Sequence, residues 1–263
     1  LKEKAMSTGA ITAHIDVAQV VLYMFWVFFA GLVIYLHGES KREGYPLQYD
    51  DDGRSRRRGI VQGFPAMPPP KTFRLADGST RQAPPGLGGD DRPLNAERSS
   101  TMPGAPWVPI GNPLLAGVGP GAWAERPDVP DKTCEGGPRL LPLRGLPEFG
   151  VDSKDPDPRG WPVRGADQAF GGTVVDLWVD VAEMLFRYIE VEVDGGRHVL
   201  LPMNFARIAD RQVKVNSILG AQFSGVPGTA KPDVVTMLEE EKVMAYYGAG
   251  TLYATPERAE PLI

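Results

Sequence analysis

Hydrophobic and polar positions fall into three regimes along this chain. From Val17 to Leu36 (VAQVVLYMFWVFFAGLVIYL) run 20 consecutive uncharged residues, with Gln19 the only strongly polar one. A helix of that length spans about 30 Å, the thickness of a bilayer's hydrocarbon core. Inside lipid every backbone N–H and C=O must be paired within the segment, so a lone span is a helix. Tyr23, Trp26 and Tyr35 stand where they can face headgroups or neighbouring helices. The run exceeds the ~7–15 residues of a signal-peptide core and ends in His37-Gly38-Glu39-Ser40-Lys41-Arg42, a stop-transfer flank, so it reads as an uncleaved anchor.

From Gly171 the period becomes 2. In GGTVVDLWVDV, Val175, Leu177 and Val179 point one way, and Val174, Asp176, Trp178 and Asp180 the other. FRYIEVEVDGGRHVLLP predicts a hairpin turning at Asp194-Gly195-Gly196, with Ile189, Val191 and Val193 inward and Glu190 and Glu192 outward. FARIADRQVKVNSI predicts a second hairpin, turning near Ala209 to Arg211. About five short strands at regular spacing imply a small antiparallel β-barrel. VVTMLEEEKVMAYYGAG then predicts a C-terminal helix, with Thr236 and Glu239 at capping-box spacing and Gly248 and Gly250 at its weak end.

Between these regimes, 20 of the 26 prolines lie from Pro65 to Pro162, which excludes a mainly helical region or central strands. Trp107, Trp123, Phe73, Phe149 and Trp161 are spread through it and need cover, so it reads as an extended strap rather than a disordered linker. PKTFRLADGST predicts a short strand and an Asp77-Gly78 turn. The expected class is a membrane-anchored α+β chain. Its parts are an N-terminal tail (1–10), a transmembrane helix (11–37) closed off by Gly44 and Pro46, and a membrane-surface linker (38–62). Then come the Pro/Gly-rich segment (63–165), the barrel core (166–235) and a helix with tail (236–263). Met6 reads as the natural initiator.

Lys and Arg number two before the span and six in the flank after it (Lys41, Arg42, Arg54, Arg56, Arg57 and Arg58), which places the C-terminal side in the cytoplasm and the N-terminus in the periplasm. Asp50 to Asp52 adjoin these arginines, so Asp50–Arg58 reads as a solvated loop. The net charge of −5 does not suggest nucleic acid. A single cysteine, Cys134, rules out an intrachain disulfide, and His14, His37 and His198 form no ligand motif. No GxSxG, HExxH, P-loop or dinucleotide fingerprint occurs, which weighs against an enzyme. The acidic balance and the span weigh against an RNA-binding barrel.

The chain resembles the H subunit of purple-bacterial photosynthetic reaction centres. The resemblance is carried by FWVFFAGLVIYL, REGYPL, PKTF, GNPLLAGVGPGAW, VVDLWVD, HVLLPM, NSILGAQF and LEEEKVMAYYGAGTLYATPERAEP, in that order. It implies a single-pass subunit of the inner (intracytoplasmic) membrane with a cytoplasmic PRC-type β-barrel capping the L and M subunits. Those partners would hold the bacteriochlorophyll, bacteriopheophytin, quinones and non-haem iron. This chain would ligate no pigment or metal and catalyse no reaction of its own. Membrane lipids, light-harvesting 1 antenna polypeptides and a cytochrome c subunit are further implied neighbours.

A quinone that takes two electrons also takes two protons, and under a protein cap these need a chain of carboxylates and water. Partly buried carboxylates close together have raised, coupled pKa values. Asp180, Glu183 and Arg187 lie within eight residues. By spacing alone, acids at a strand-connecting turn read as merely solvated. The resemblance instead makes Glu183 and Asp180 the acidic pair of a proton relay with Arg187 beside it, and Glu240 a supporting acid, although a helix N-terminus favours acids in any case. Where some members carry histidines at a proton entrance, DVPDKTCEGGPR has none, leaving Asp128, Asp131 and Glu135.

Overall fold

The structure, a computed structural model, describes residues 9, 11, 15–43, 63–84, 92–102 and 104–259. The chain divides into two compact units, Leu1–Asp91 and Arg92–Ile263.

In the first unit, helix α1 (Val17–Ser40) begins where the Asp16 carboxylate accepts the Gln19 N–H at 2.7 Å. None of its side chains is buried, so its apolar surface from Val17 to Leu36 faces outward on every side. A helix that is apolar all round and uncovered suits lipid. It continues through the flank to Ser40, ending ahead of Gly44 and Pro46. Those two residues and the Asp50–Arg58 patch lie outside the described residues. The extension is held by Glu39, whose carboxylate takes both Arg42 (2.8 Å) and Lys71 (2.8 Å). Arg42 also donates to the carbonyls of Pro69 and Ala83, and Lys41 to that of Pro65. The end of α1 is thereby tied to a hairpin, β1 (Lys71–Arg74) with β2 (Thr80–Ala83). Its turn has Gly78 at φ +84°, and Asp77 accepts from Ser79.

The second unit is built on β7 (Phe170–Asp180), 11 residues long. A small ribbon, β3 (Ala96–Arg98) with β4 (Trp107–Pro109), precedes it. Strands β5 (Leu140–Pro142) and β6 (Pro162–Arg164) come from the Pro/Gly-rich segment, and both pair antiparallel with β7. So does β8 (Leu185–Val193), which turns through Gly195-Gly196 into β9 (Arg197–Pro202). The second hairpin is β10 (Ala206–Ala209) with β11 (Gln212–Val215), and both its turn residues, Asp210 and Arg211, have positive φ. The order β10-β11-β6-β7-β8-β9 makes a half-barrel that is antiparallel except at β6–β11. That pair is parallel because a long connection, not a hairpin, joins its members.

Helix α2 (Met237–Tyr253) has the expected capping box of Thr236 and Glu239. It lays Val243, Tyr246, Tyr247 and Ala249 into the core, and Tyr247 stacks on Phe205 at 5.7 Å. Gly248 and Gly250 do not mark its end. A Cβ at Gly248 would run into the carbonyl oxygen of Pro120, and one at Gly250 into that of Ser217. These glycines let the helix touch backbone on two sides. Two further expectations change. Asp176, Leu177, Trp178, Val179 and Asp180 are all buried, so β7 has no solvent face. Glu190, read as outward, is also buried, whereas Glu192 is exposed. The Glu190 carboxylate takes Arg144 (2.6 Å), the Trp178 indole N–H (2.8 Å) and His198 Nδ1 (2.7 Å).

Gly250→Ala should destabilise the chain by about 1–3 kcal/mol through overpacking, against the roughly 1 kcal/mol that helix propensity alone would add. Gly145→Ala, where a Cβ meets open space, should be neutral. Thermal unfolding of the full chain in detergent checks both.

Candidate functional site

Asp180 closes β7, and the link Val181–Met184 leads into β8. The Met184 N–H returns to the Asp180 carbonyl at 2.8 Å, with Met184 itself in the left-handed region (φ 58°). Asp180 Oδ1 accepts the N–H groups of Ala182 (3.1 Å) and Glu183 (3.0 Å), which folds the link back over the carboxylate. Across the sheet, Leu140 of β5 pairs with Asp180, and the Val181 N–H donates to the Arg139 carbonyl at 3.0 Å. That register delivers the Arg139 side chain. Its Nε lies 3.0 and 2.9 Å from the two Asp180 oxygens, and its Nη2 reaches Glu183.

Arg187, expected beside the acidic pair, stands further off, at 3.9 Å from Asp180 and 3.8 Å from Glu183. Arg139 is therefore the closer cation, and sequence reasoning missed it. Burial pushes the Asp180 carboxyl up, but the Arg139 guanidinium and the two backbone N–H groups outweigh it and hold the group below the ordinary aspartate range. The expected raised pKa does not occur at Asp180, which stays ionised at neutral pH.

Beyond Arg187 opens a cleft of about 760 Å³ between β8 and α2. Arg187, Tyr188, Asp131 and Glu240 line it. In the first turn of α2, Glu240 accepts the Tyr188 hydroxyl at 2.7 Å. Burial drives the Glu240 carboxyl above its ordinary value, more than the Tyr188 hydroxyl and the Arg187 charge draw it down. Burial and the Glu240 charge push the Tyr188 phenol up in turn, so it remains a donor. Asp131 lies 3.6 Å from Arg139, brought there by the Arg139 N–H to Asp131 carbonyl bond of 2.9 Å.

The structure thus gathers Asp131, Asp180, Glu183 and Glu240 about two arginines, Arg139 and Arg187. Asp128 and Glu135 are not part of the group. Asp128 accepts the Thr236 hydroxyl at 2.6 Å, and Glu135 is exposed in the Thr133–Gly136 turn. Among the described residues, no three His, Cys, Asp or Glu side chains converge as for a metal ion.

Comparison with known families adds a second line. Residues 9–145 match the model of the photosynthetic reaction centre H-chain N-terminal region, and residues 151–222 match the PRC-barrel domain. The chain belongs to the reaction-centre H-chain family. It is a subunit of a photosynthetic reaction centre, and α1 is its membrane-anchoring segment. In this H chain the two matches meet within the second unit. Arg139 falls in the N-terminal match, Asp180 and Glu183 in the barrel match, and Glu240 beyond both.

Two outcomes follow from the directions of these shifts. A depressed folded pKa at Asp180 adds stability that is present above the unfolded value and lost as pH falls through the folded one. In Arg139→Gln the guanidinium is lost while burial and the two backbone N–H groups stay, so the folded pKa of Asp180 should rise and the loss of thermal midpoint on acidification should shrink. Arg139→Lys should restore much of the wild-type slope. Glu240 is the opposite case. Its raised folded pKa adds stability that is present below the unfolded value and lost as pH rises through the folded one. Glu240→Gln keeps the bond from Tyr188 and should flatten that decline, gaining on the wild type at pH 8 more than at pH 5. Thermal midpoints measured from pH 8 down through the acid range decide both.

Proposed function

We propose that this H chain caps the L and M subunits on the cytoplasmic side and helps carry protons to the secondary quinone. The observation that carries this reading is the Arg139 clasp, which joins a buried Asp180, its pKa held below the ordinary aspartate range, to the half-exposed Glu183. Glu183 has water on one side and the cluster on the other, which is where a group linking solvent to the interior would stand. Asp180 is a positioning residue: its charge holds Arg139 and shapes the link that presents Glu183. Glu240, with its raised affinity for a proton and its bond from Tyr188, is the member best suited to hold one. Asp131 at the mouth of the cleft is the favoured entrance, ahead of Asp128 and Glu135.

In this reading the chain is non-catalytic. The bacteriochlorophyll, bacteriopheophytin, quinones and non-haem iron reside in L and M, and antenna polypeptides and a cytochrome c subunit complete the assembly. The N-terminus is periplasmic and the second unit cytoplasmic, as the Lys and Arg excess after the span favours.

Flash spectroscopy on membranes tests the proposal. Glu183→Gln keeps size and hydrogen bonding but removes the titrating proton. Primary charge separation should be unchanged, and the proton-coupled second electron transfer should slow, by up to about 10²-fold. Asp180→Asn should act in the same direction, and the double variant less than additively on a free-energy scale. Glu192→Gln, on the exposed face of β8, is the control. Unchanged second-electron rates in both Glu183→Gln and the double variant would reduce the chain to a cap.

A further inference from the structure

At the edge of the half-barrel away from β8, a cavity of about 410 Å³ opens between the β10–β11 hairpin and the end of α2. Its wall includes Arg207, Lys214 and Arg258 and no carboxylate, in a chain whose net charge is −5. Arg207 and Lys214 are direct cross-strand partners. Like charges in that position repel and destabilise a hairpin. Only Lys214 has a counter-charge among the described residues, the exposed Asp210 at 3.3 Å, while none is recorded for Arg207.

Arg258 comes from the turn after α2 and is fixed before any ligand arrives. Its Nη1 donates to the carbonyls of Ser217 and Gly250 at 2.7 Å each, and its Nη2 to Asn216 at 2.9 Å. One of these bonds covers the Gly250 carbonyl in the last turn of α2, where partial negative charge would otherwise oppose an anion, and the other two tie Arg258 to the chain just after β11. A guanidinium has five N–H donors, so Arg258 keeps Nε–H and one Nη2–H to offer. Asn204 and Asn216 place amides in the same wall. Ser217, also in the wall, has a buried hydroxyl with no hydrogen-bond partner. Three cations, two amides and an unspent hydroxyl around one hollow lack a multiply charged acceptor.

We propose that this cavity binds a phosphate-bearing anion. Phosphate oxygens match guanidinium N–H pairs in geometry and charge, and a bound dianion would turn the Arg207–Lys214 repulsion into a shared attraction. The site lies on other strands than the Arg139 cluster, and the proposal does not depend on the proton reading. A lipid headgroup and free phosphate present the same chemistry, so the test has an arm for each.

The purified detergent-solubilised complex is titrated calorimetrically with inorganic phosphate, ionic strength being held constant with chloride. A parallel titration uses dihexanoyl phosphatidylglycerol, with dihexanoyl phosphatidylcholine as the zwitterionic control. Saturable binding of inorganic phosphate assigns a free anion, and saturable binding of phosphatidylglycerol alone assigns a lipid headgroup. Either should weaken roughly tenfold in Arg207→Gln and in Lys214→Gln, each of which removes one charge-assisted contact. Both variants relieve the cross-strand repulsion, so without ligand each should be as stable as the wild type or more so. Arg258 is left in place because it holds backbone. The proposal is overturned if neither probe binds saturably, or if both variants bind as the wild type does. It also fails if the variants lose their partner subunits while phosphate binding is unaltered, since the cations would then serve a protein contact.

Discussion

The second unit depends on how a strand buried on both faces can carry two carboxylates. Asp176 and Asp180 lie four residues apart on β7 and are both nearly without solvent. An unpaired buried charge is not sustainable, so each needs a cation from elsewhere. Both cations come from one short piece of chain: Arg139 precedes β5 and clasps Asp180, and Arg144 follows β5 and takes Asp176 at 3.1 Å. Strand β5 thus closes two ion pairs along one flank of β7, and Arg144 goes on to Glu190 and Asp233. Stability and the placing of Glu183 are linked through this arrangement, because the arginine that makes Asp180 tolerable also holds Glu183 beside it.

What was legible in the sequence was local. The span, the two hairpins and the capping box of α2 lie within windows of a few to about twenty residues, where periodicity and spacing carry the signal, whereas spacing alone left Asp180, Glu183 and Arg187 as merely solvated and only the family resemblance singled them out. Arg139 was not legible because its partner lies 41 residues away, across a pairing between β5 and β7 that only the folded chain makes. Glu190 was misread for a related reason. Strict alternation places it on the face opposite Ile189 and Val191, and that inference assumes water on the second face. Here Trp178 and Arg144 cover it instead. Gly248 and Gly250 are a third case, where a composition that usually ends a helix serves close approach to Pro120 and Ser217.

The Pro/Gly-rich segment changes meaning in the same way. Its prolines do bar long strands, and β5 and β6 have three residues each. Three residues are enough when the partner is a long, already twisted strand. Leu114, Leu140, Leu143, Leu146 and Val163 join the core from this segment, so these apolar side chains find their cover within the chain.

The spacing of β5 and β7 also bears on how the chain is made. Translation delivers Arg139 and Arg144 before the aspartates they will hold, and at ~5–20 residues per second the interval is about 2–8 s. For that time a growing chain, whose apolar span has already emerged, displays two bare guanidinium groups beside Leu140, Leu141 and Leu143. Until β7 leaves the ribosome, neither of the two ion pairs along its flank can form.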